Sequence, residues 1–462
     1  MTTDLQQATG GAGTPAGSIA EDVAKVGGIE EEFLFGGTAT QYRLAGRAPT
    51  DYSTDGHWDV EPDVEQPFRT RMIVVRPADP AACNGTVFVL WNNVSSGESF
   101  MGGPQAAQLL EDGFVVVGVS AQRSGVEGLG DLTVPDDIEG LPPMPRALGM
   151  KESDPERYGT MSHPGDGFSY DIFTQAARLV GPDRPRNPDP LGGVEVRHLV
   201  ATGGSQSANR LATYVNAVQP VAGVLDGFLL TVYAGCPCAL DPASAPATLP
   251  ELPVDNVVEL LPWRTYRLRD DLDVPIIVLN SEFEAEQCHP NTNADTELLR
   301  WWEVAGTAHG GLMPIEMVDM VAKMMPEGCW VSFAPASRAA MHGLRRWLDG
   351  GAPPPHQPRL AKTGEPPALP RDEHGNALGG IRWPDLEAPL GTYVGQSPPG
   401  VVQLMGHSSP FTPEQVRALY ADRDAWQQRY DAAVDRLVDA EVVLPDAAVR
   451  MKSLAAARDL PF

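Results

Sequence analysis

Residues 197–215 read RHLVATGGSQSANRLATYV. The apolar run that ends at Thr202 predicts a β-strand, and the stretch from Ala208 onward, without Gly or Pro, predicts a helix. Small residues on both sides of Ser205 permit a tight, strained turn between the two. Such a turn lifts the serine hydroxyl clear of a sheet, at the N-terminus of the following helix. The stretch therefore predicts a junction that presents a serine nucleophile.

Strands and helices alternate on both sides of this junction. Apolar runs predict strands, and the run at 114–120 is continuous, as is typical of a strand buried on both faces. Helical periodicity lies between or after these runs. The predicted strands are 85–91, 114–120, 274–280 and 299–305, and the predicted helices are 168–180 and 336–349. This alternation indicates an α/β protein with a mostly parallel central sheet covered on both faces.

Composition also predicts a domain organisation. Residues 1–18 are rich in Gly, Ala, Thr and Gln, and we expect them to be disordered. Residues 19–350 form one α/β domain with an N-terminal β-rich extension. Insertions at about 124–165 and 235–272 would build a cap over that domain. Residues 351–462, a Pro-rich segment followed by a helical C-terminal tail, would wrap the same domain.

The overall charge excludes several classes of partner. The 462 residues include 61 acidic and 34 basic side chains, which gives a formal net charge of −27. Such a surface repels nucleic acid and anionic membranes. No apolar run is long enough to span a bilayer, and residues 1–7 lack the features of a signal peptide. We expect a cytoplasmic protein without a nucleic-acid or membrane partner; the sequence indicates no oligomeric state.

A serine nucleophile needs a base and an acid that orients the base. Glu282 and Glu284 come directly after the predicted strand at 274–280, and His309 follows the strand at 299–305. The carboxyl ends of parallel strands gather functional groups at one edge of a sheet. We expect Ser205 as nucleophile and His309 as base. Register favours Glu284 as the acid, because the carboxylate that orients the base usually lies a few residues past the end of its strand. Glu282 is the alternative.

The tetrahedral intermediate of acyl transfer needs two N–H donors, together called an oxyanion hole. One donor should be the amide of Gln206, directly after the serine. The other should come from the loop after the strand at 85–91, with Asn93 favoured and Val94 as the alternative. The same loop could instead be only a polar turn.

The proposed chemistry needs no metal or cofactor. The histidines His163, His198 and His289 do not show metal-ligand spacing with carboxylates. We therefore predict that the protein binds neither.

From about Gly36 to its C-terminus, the chain resembles the α/β-hydrolase superfamily. Within it, the chain is similar to large bacterial and fungal serine hydrolases described as α/β-hydrolase domain proteins. The supporting segments include WNNVS at 91–95, GGSQS at 203–207 and WEVAGTAH at 302–309. The resemblance implies an α/β-hydrolase fold, with Ser205 as nucleophile and His309 as base.

The chain departs from the family pattern at two positions. The acid loop of such proteins looks like Glu-x-Asp, but here the second carboxylate, Glu284, is one methylene longer. This leaves Glu282 and Glu284 both open as the acid. The nucleophile turn ends in Ser207 where the superfamily usually has Gly, and serine is small enough for that turn.

Ser205, His309 and a glutamate together predict a serine hydrolase that works through an acyl-enzyme intermediate. The resemblance implies that its substrate is a small-molecule carboxylic ester. The same triad could open a lactone, cleave an amide or transfer the acyl group to an alcohol. A different class of function is a catalytically silent hydrolase fold that binds a ligand or partner.

Overall fold

The structure is a computed structural model, and it describes residues 4–11, 13–95, 97–98, 108–128, 148–241, 266–288, 293–364, 368–396, 404–460 and 462. The chain has two compact units. Met1–Leu230 and Gly235–Pro275 form the first, and Thr231–Ala234 and Ile276–Phe462 form the second. The boundary predicted at residue 350 thus lies inside the second unit.

The first unit is built on a mixed sheet. Its strands are β1 (Asp4–Gln7), β2 (Gly28–Leu44), β3 (Val60–Pro77), β4 (Thr86–Trp91), β5 (Val115–Val119), β6 (His198–Gly204) and β7 (Gly227–Thr231), in the spatial order β1-β2-β3-β5-β4-β6-β7. Strands β1, β2 and β3 pair antiparallel, and β3 is antiparallel to β5. Strand β4 is parallel to both β5 and β6, and every residue of β4 is buried. The long β2–β3 pair is the predicted N-terminal β-rich extension.

The predicted disorder of residues 1–18 is wrong for the N-terminal segment. Strand β1 pairs with β2 in the register Asp4 to Gly36. Farther along, the Ser18 hydroxyl and the Ile19 amide donate to the two carboxylate oxygens of Glu30, at 2.5 and 2.7 Å. Without β1, strand β2 would be the edge of the sheet and would offer unpaired N–H and C=O groups to any extended segment nearby. That non-local pairing orders a segment whose composition alone predicts disorder.

Helices connect the strands of the first unit. The described α-helices are Ala20–Lys25, Arg123–Glu127, Met150–Ser153, Pro155–Tyr158, Ser169–Leu179, Gln206–Thr213 and Gln219–Ala222, with a π-helical turn at Tyr214–Val218 and 3₁₀ turns at Pro80–Ala82 and Asp166–Phe168. The helix predicted at 168–180 is confirmed. Within the predicted cap insertions, residues 129–147 and 242–265 lie outside the described residues.

The second unit carries parallel strands of its own. Strand β8 (Ile276–Ser281) is parallel to β9 (Leu299–Ala305), which is parallel to β10 (Ile381–Arg382). Every residue of β8 and β9 is buried, including the charged side chains of Arg300 and Glu303 on β9. A separate antiparallel pair is formed by β11 (Gly391–Val394) and β12 (His407–Pro410).

The second unit is richer in helix toward the C-terminus. Its described α-helices are Glu282–Cys288, Val318–Met324, Ala334–Leu348, Pro384–Glu387, Pro413–Leu419, Arg423–Asp439 and Pro445–Ala456, with a 3₁₀ turn at Ile315–Met317. Across the part of the chain that the structure describes, no helix is long and apolar enough to cross a membrane.

The helical tail is part of the core of the second unit. Trp426 on the helix Arg423–Asp439 is fully buried, and its indole N–H donates to the carbonyl of Ala388 at 3.0 Å. The ring of Tyr430 lies 5.4 Å from that of Trp426, centroid to centroid. A buried indole with a satisfied N–H contributes both apolar contact area and a hydrogen bond.

Replacing Trp426 by Ala should lower the free energy of unfolding by about 3–5 kcal/mol, because it leaves a cavity in this core. Denaturant titration measures the change. Val449→Ala is the matched control on the tail, since Val449 is 70% exposed and its truncation should cost less than about 0.5 kcal/mol. Equal stability of the two variants would show that the tail is only loosely attached.

Candidate active site

Ser205 is held in a strained backbone conformation. It lies between β6 and the helix Gln206–Thr213, with φ 61° and ψ −128°. Residues with a side chain rarely occupy this region, and doing so costs about 1–3 kcal/mol. The turn is tight on its inner side as well. A Cβ atom on Gly203 would lie only 3.0 Å from Cβ of Ser207 and 3.1 Å from Cδ1 of Leu211. Ser205 thus has the strand-to-helix geometry typical of a nucleophile turn.

The loop that follows β4 is fastened to the serine turn. The side-chain amide of Asn93 donates to the carbonyl of Gly204, the residue before Ser205, at 3.2 Å. The side-chain oxygen of Asn93 accepts the amide of Ser95 at 2.8 Å, which closes a local turn. Asn93 and Val94 are both buried. The predicted oxyanion loop therefore lies against the turn that carries Ser205 and the first helical residue, Gln206.

In the second unit, Glu284 and His309 are in direct contact. Oε1 of Glu284 lies 2.5 Å from Nδ1 of His309. Glu284 is fully buried, whereas the His309 side chain is 17% exposed. A carboxylate on Nδ1 favours the tautomer with the proton on that nitrogen, which leaves Nε2 able to accept a proton.

Two neighbours hold this pair in position. The other oxygen of Glu284 accepts the Ser281 hydroxyl at 2.5 Å and the Ser281 amide at 3.1 Å. The ring of Phe283 packs edge-on against the imidazole of His309, with 5.9 Å between centroids and an interplanar angle of 75°. Both oxygens of the Glu284 carboxylate therefore have hydrogen-bond partners, and the ring of Phe283 packs against one side of the imidazole.

Glu282 has a different set of partners. One oxygen accepts the amide of Gly306 at 2.8 Å. The other accepts the amide of Gly395 at 3.2 Å and the guanidinium of Arg371 at 2.8 Å. Within the described part of the chain, these groups account for both oxygens of Glu282. The structure thus brings Glu284, and not the alternative Glu282, to the imidazole of His309.

The local backbone explains why the two glutamates differ. An extended backbone would put Glu282 and Glu284 on the same side, but the helix Glu282–Cys288 begins directly after β8. Residues two apart on a helix do not face the same way. Ser281 precedes this helix and Glu284 is its third residue, the Ser-x-x-Glu spacing of a helix start. That spacing was the sequence signal for the helix and for the role of Ser281. Arg371 lies 89 residues from Glu282 in an irregular segment, so no local pattern indicates it.

Within the described residues, no group of three His, Cys, Asp or Glu side chains could hold a metal ion. His163 is buried among polar neighbours instead. The Gly165 amide donates to its Nδ1 at 3.2 Å, so Nε2 carries the proton and donates to the carbonyl of Ala121 at 2.8 Å. Burial lowers the pKa of His163, which keeps this imidazole neutral. His289 lies outside the described residues.

A model of the alpha/beta hydrolase domain family matches residues 3–453. The chain belongs to this family. It therefore has an α/β-hydrolase fold with a mostly parallel sheet and a helical C-terminal segment, as its sequence predicts. Among curated protein sequences, none matches the chain.

Several solved structures match part of the chain. Esterase Est22 is 13% identical with a TM-score of 0.28, and the match covers 56% of this chain and 66% of the Est22 chain, just under two thirds. Esterase 2 of Thermogutta terrifontis, phosphonylated by cyclosarin, is 14% identical with a TM-score of 0.29, covering 56% and 86%. A putative dienelactone hydrolase from Klebsiella pneumoniae subsp. pneumoniae MGH 78578 is 11% identical with a TM-score of 0.30, covering 63% and 96%. Similarity at this level assigns no activity to the chain.

The strain at Ser205 predicts that a glycine variant is more stable than an alanine variant, which is the reverse of the order expected in a helix. Ser205→Gly should be about 1 kcal/mol more stable than Ser205→Ala, because glycine accepts a positive φ without steric cost. Ser207, inside the helix, is the matched control. Ser207→Gly should be about 1 kcal/mol less stable than Ser207→Ala. The unfolding free energies of the four variants give the difference between glycine and alanine at each position. If this difference has the same sign at positions 205 and 207, Ser205 is not strained.

Proposed function

We propose that this protein is a serine hydrolase that cleaves a small-molecule carboxylic ester through an acyl-enzyme intermediate. The observation that carries the proposal is the 2.5 Å contact between the buried carboxylate of Glu284 and Nδ1 of His309. A buried carboxylate is costly unless it is paired, and pairing with an imidazole sets that ring up as a general base. Membership in the alpha/beta hydrolase domain family and the strained turn at Ser205 support the same function.

In the first half of the proposed reaction, Oγ of Ser205 attacks the ester carbonyl carbon while Nε2 of His309 accepts the hydroxyl proton. Negative charge develops on the carbonyl oxygen. The amides of Gln206 and of Asn93, or of Val94 in its place, would donate to that oxygen. Collapse of the intermediate breaks the bond to the leaving alcohol, which takes the proton from His309.

In the second half, water attacks the acyl-enzyme and gives a proton to Nε2 of His309. Release of the carboxylic acid returns the proton to Ser205. Glu284 stabilises the imidazolium that forms in each half and keeps the proton on Nδ1. Bonds and protons balance with water as the only co-substrate, so the proposed reaction needs no cofactor.

We assign Glu282 a supporting part in this reaction. Its bonds to the amides of Gly306 and Gly395 and its ion pair with Arg371 tie the start of the histidine loop to a distant segment. We also propose a reducing, cytoplasmic location. In support, Cys83, Cys236, Cys238 and Cys329 form no disulfide.

Exchanging each glutamate for glutamine separates the two roles. Glu284→Gln should lower kcat for a p-nitrophenyl ester by about 10³- to 10⁴-fold, because the amide favours the wrong tautomer of His309. Glu282→Gln, the matched control, should lower the free energy of unfolding by about 2 kcal/mol through loss of its pair with Arg371, with kcat reduced less than tenfold. Steady-state kinetics and denaturant titration measure both effects.

Ser205→Ala tests the nucleophile in the same assay. The variant should lose ester hydrolysis and covalent labelling by a fluorophosphonate, while the wild type keeps both. If wild type and variant are equally inert toward esters of every chain length, and neither is labelled, the protein is a non-catalytic binding protein. Turnover of lactones or amides but not of open-chain esters would reassign the leaving group.

A further inference from the structure

A buried glutamate, Glu98, is bonded to the start of the loop after β4, which is the predicted oxyanion loop. The side chain of Glu98 is only 3% exposed. Its Oε1 accepts the side-chain amide of Asn92 at 2.7 Å and the hydroxyl of Ser120 at 2.6 Å. Asn92 begins the loop after β4, and Ser120 directly follows β5. One carboxylate oxygen therefore joins the loop to the end of the neighbouring strand.

Arg71 on β3 supplies the charge that this carboxylate needs. Arg71 is fully buried, with Nη2 3.5 Å from Oε1 of Glu98 and Nε donating to the Ser120 hydroxyl at 3.2 Å. Its Nη1 donates to Glu32 at 3.0 Å. Burial acts to lower the pKa of Arg71, but Glu98, Tyr158 and Glu32 outweigh it and raise that pKa. Arg71 is thus a permanent buried cation shared by two carboxylates.

The surrounding chain is shaped around the Glu98 carboxylate. A Cβ atom on Gly125 would lie 2.0 Å from Oε2 of Glu98 and 3.1 Å from Cγ1 of Val94. A side chain at that position would have to displace the carboxylate that Asn92 and Ser120 hold. The same glycine therefore packs against both the carboxylate and a residue considered as an oxyanion donor.

We propose that Glu98 is a positioning residue for the oxyanion hole, an inference that rests on the proposed hydrolase function. The loop after β4 has two attachments. The Asn93 side chain bonds the loop to Gly204 beside the nucleophile, and Glu98 bonds it through Asn92, Ser120 and Arg71 to strands β3 and β5. An oxyanion donor works only when it is held in place before charge develops. With the second attachment lost, the amides of Asn93 and Val94 are no longer fixed relative to Ser205.

The test is Glu98→Gln, with Glu32→Gln as the matched control. Each variant removes one carboxylate charge from Arg71. Among the described residues, however, the side chain of Glu32 accepts hydrogen bonds from Arg71, Arg157 and Tyr158, and none of these lies in the loop. Glu98→Gln should lower kcat about 100-fold with KM changed less than threefold, since a donor displaced by about 1 Å costs that much. Glu32→Gln should lower the thermal midpoint but leave kcat within threefold of the wild type.

Hydrogen exchange of a peptide that covers residues 92–95 gives a readout independent of turnover. Exchange there should accelerate in Glu98→Gln and stay unchanged in Glu32→Gln. Equal kcat in the two variants, or unchanged exchange in Glu98→Gln, overturns the positioning role.

A wild type without ester turnover or fluorophosphonate labelling would instead refute the proposed function, and the positioning role in catalysis with it. Normal wild-type turnover combined with unaffected kcat in Glu98→Gln would refute the positioning role alone. The two failures are therefore distinguishable.

Discussion

The strained backbone of Ser205 is the constraint that the packing around it in the first unit has to satisfy. A serine at φ 61° is unfavourable on its own, so the strand before it and the helix after it must supply the stabilisation. Strand β6 is locked in register against β4, and the whole helix Gln206–Thr213 is buried. Gly203 lets the two elements approach closely enough to hold the turn. The packing of a sheet and a helix thus fixes the position of one hydroxyl group.

Three buried glutamates show how partners, more than residue type, decide what a carboxylate does. Glu284 faces an imidazole, Glu282 faces two backbone amides and Arg371, and Glu98 faces Asn92, Ser120 and Arg71. The carboxylates of Glu282 and Glu98, each bonded to an arginine and to further donors, join segments that are distant in the chain. A carboxylate that pairs with a partly exposed histidine, as Glu284 does, can stabilise the positive charge that the imidazole gains during a reaction. The chain carries a net charge of −27, yet the proposed roles fall on a few interior carboxylates.

The sequence predicted the parts of the site that follow from local patterns. The serine turn and the histidine after β9 came from apolar runs that end in small or polar residues. The choice of Glu284 rests on its distance past β8 and not on the helix Glu282–Cys288, which turns the two glutamates to different sides. Local sequence patterns do not indicate partners that lie far apart in the chain. The pairing of β1 with β2 and of Arg371 with Glu282 depends on tertiary contacts that no local spacing records.

A crystal structure of the protein after reaction with a phosphonate ester would test the role of Ser205 as nucleophile and of His309 as its base. We expect phosphorus bonded to Oγ of Ser205, with a phosphoryl oxygen about 3 Å from the amides of Gln206 and of Asn93 or Val94. Nε2 of His309 should lie within hydrogen-bond distance of the same phosphonate. A phosphonate on another residue, or an imidazole of His309 out of reach of Ser205, would contradict these roles.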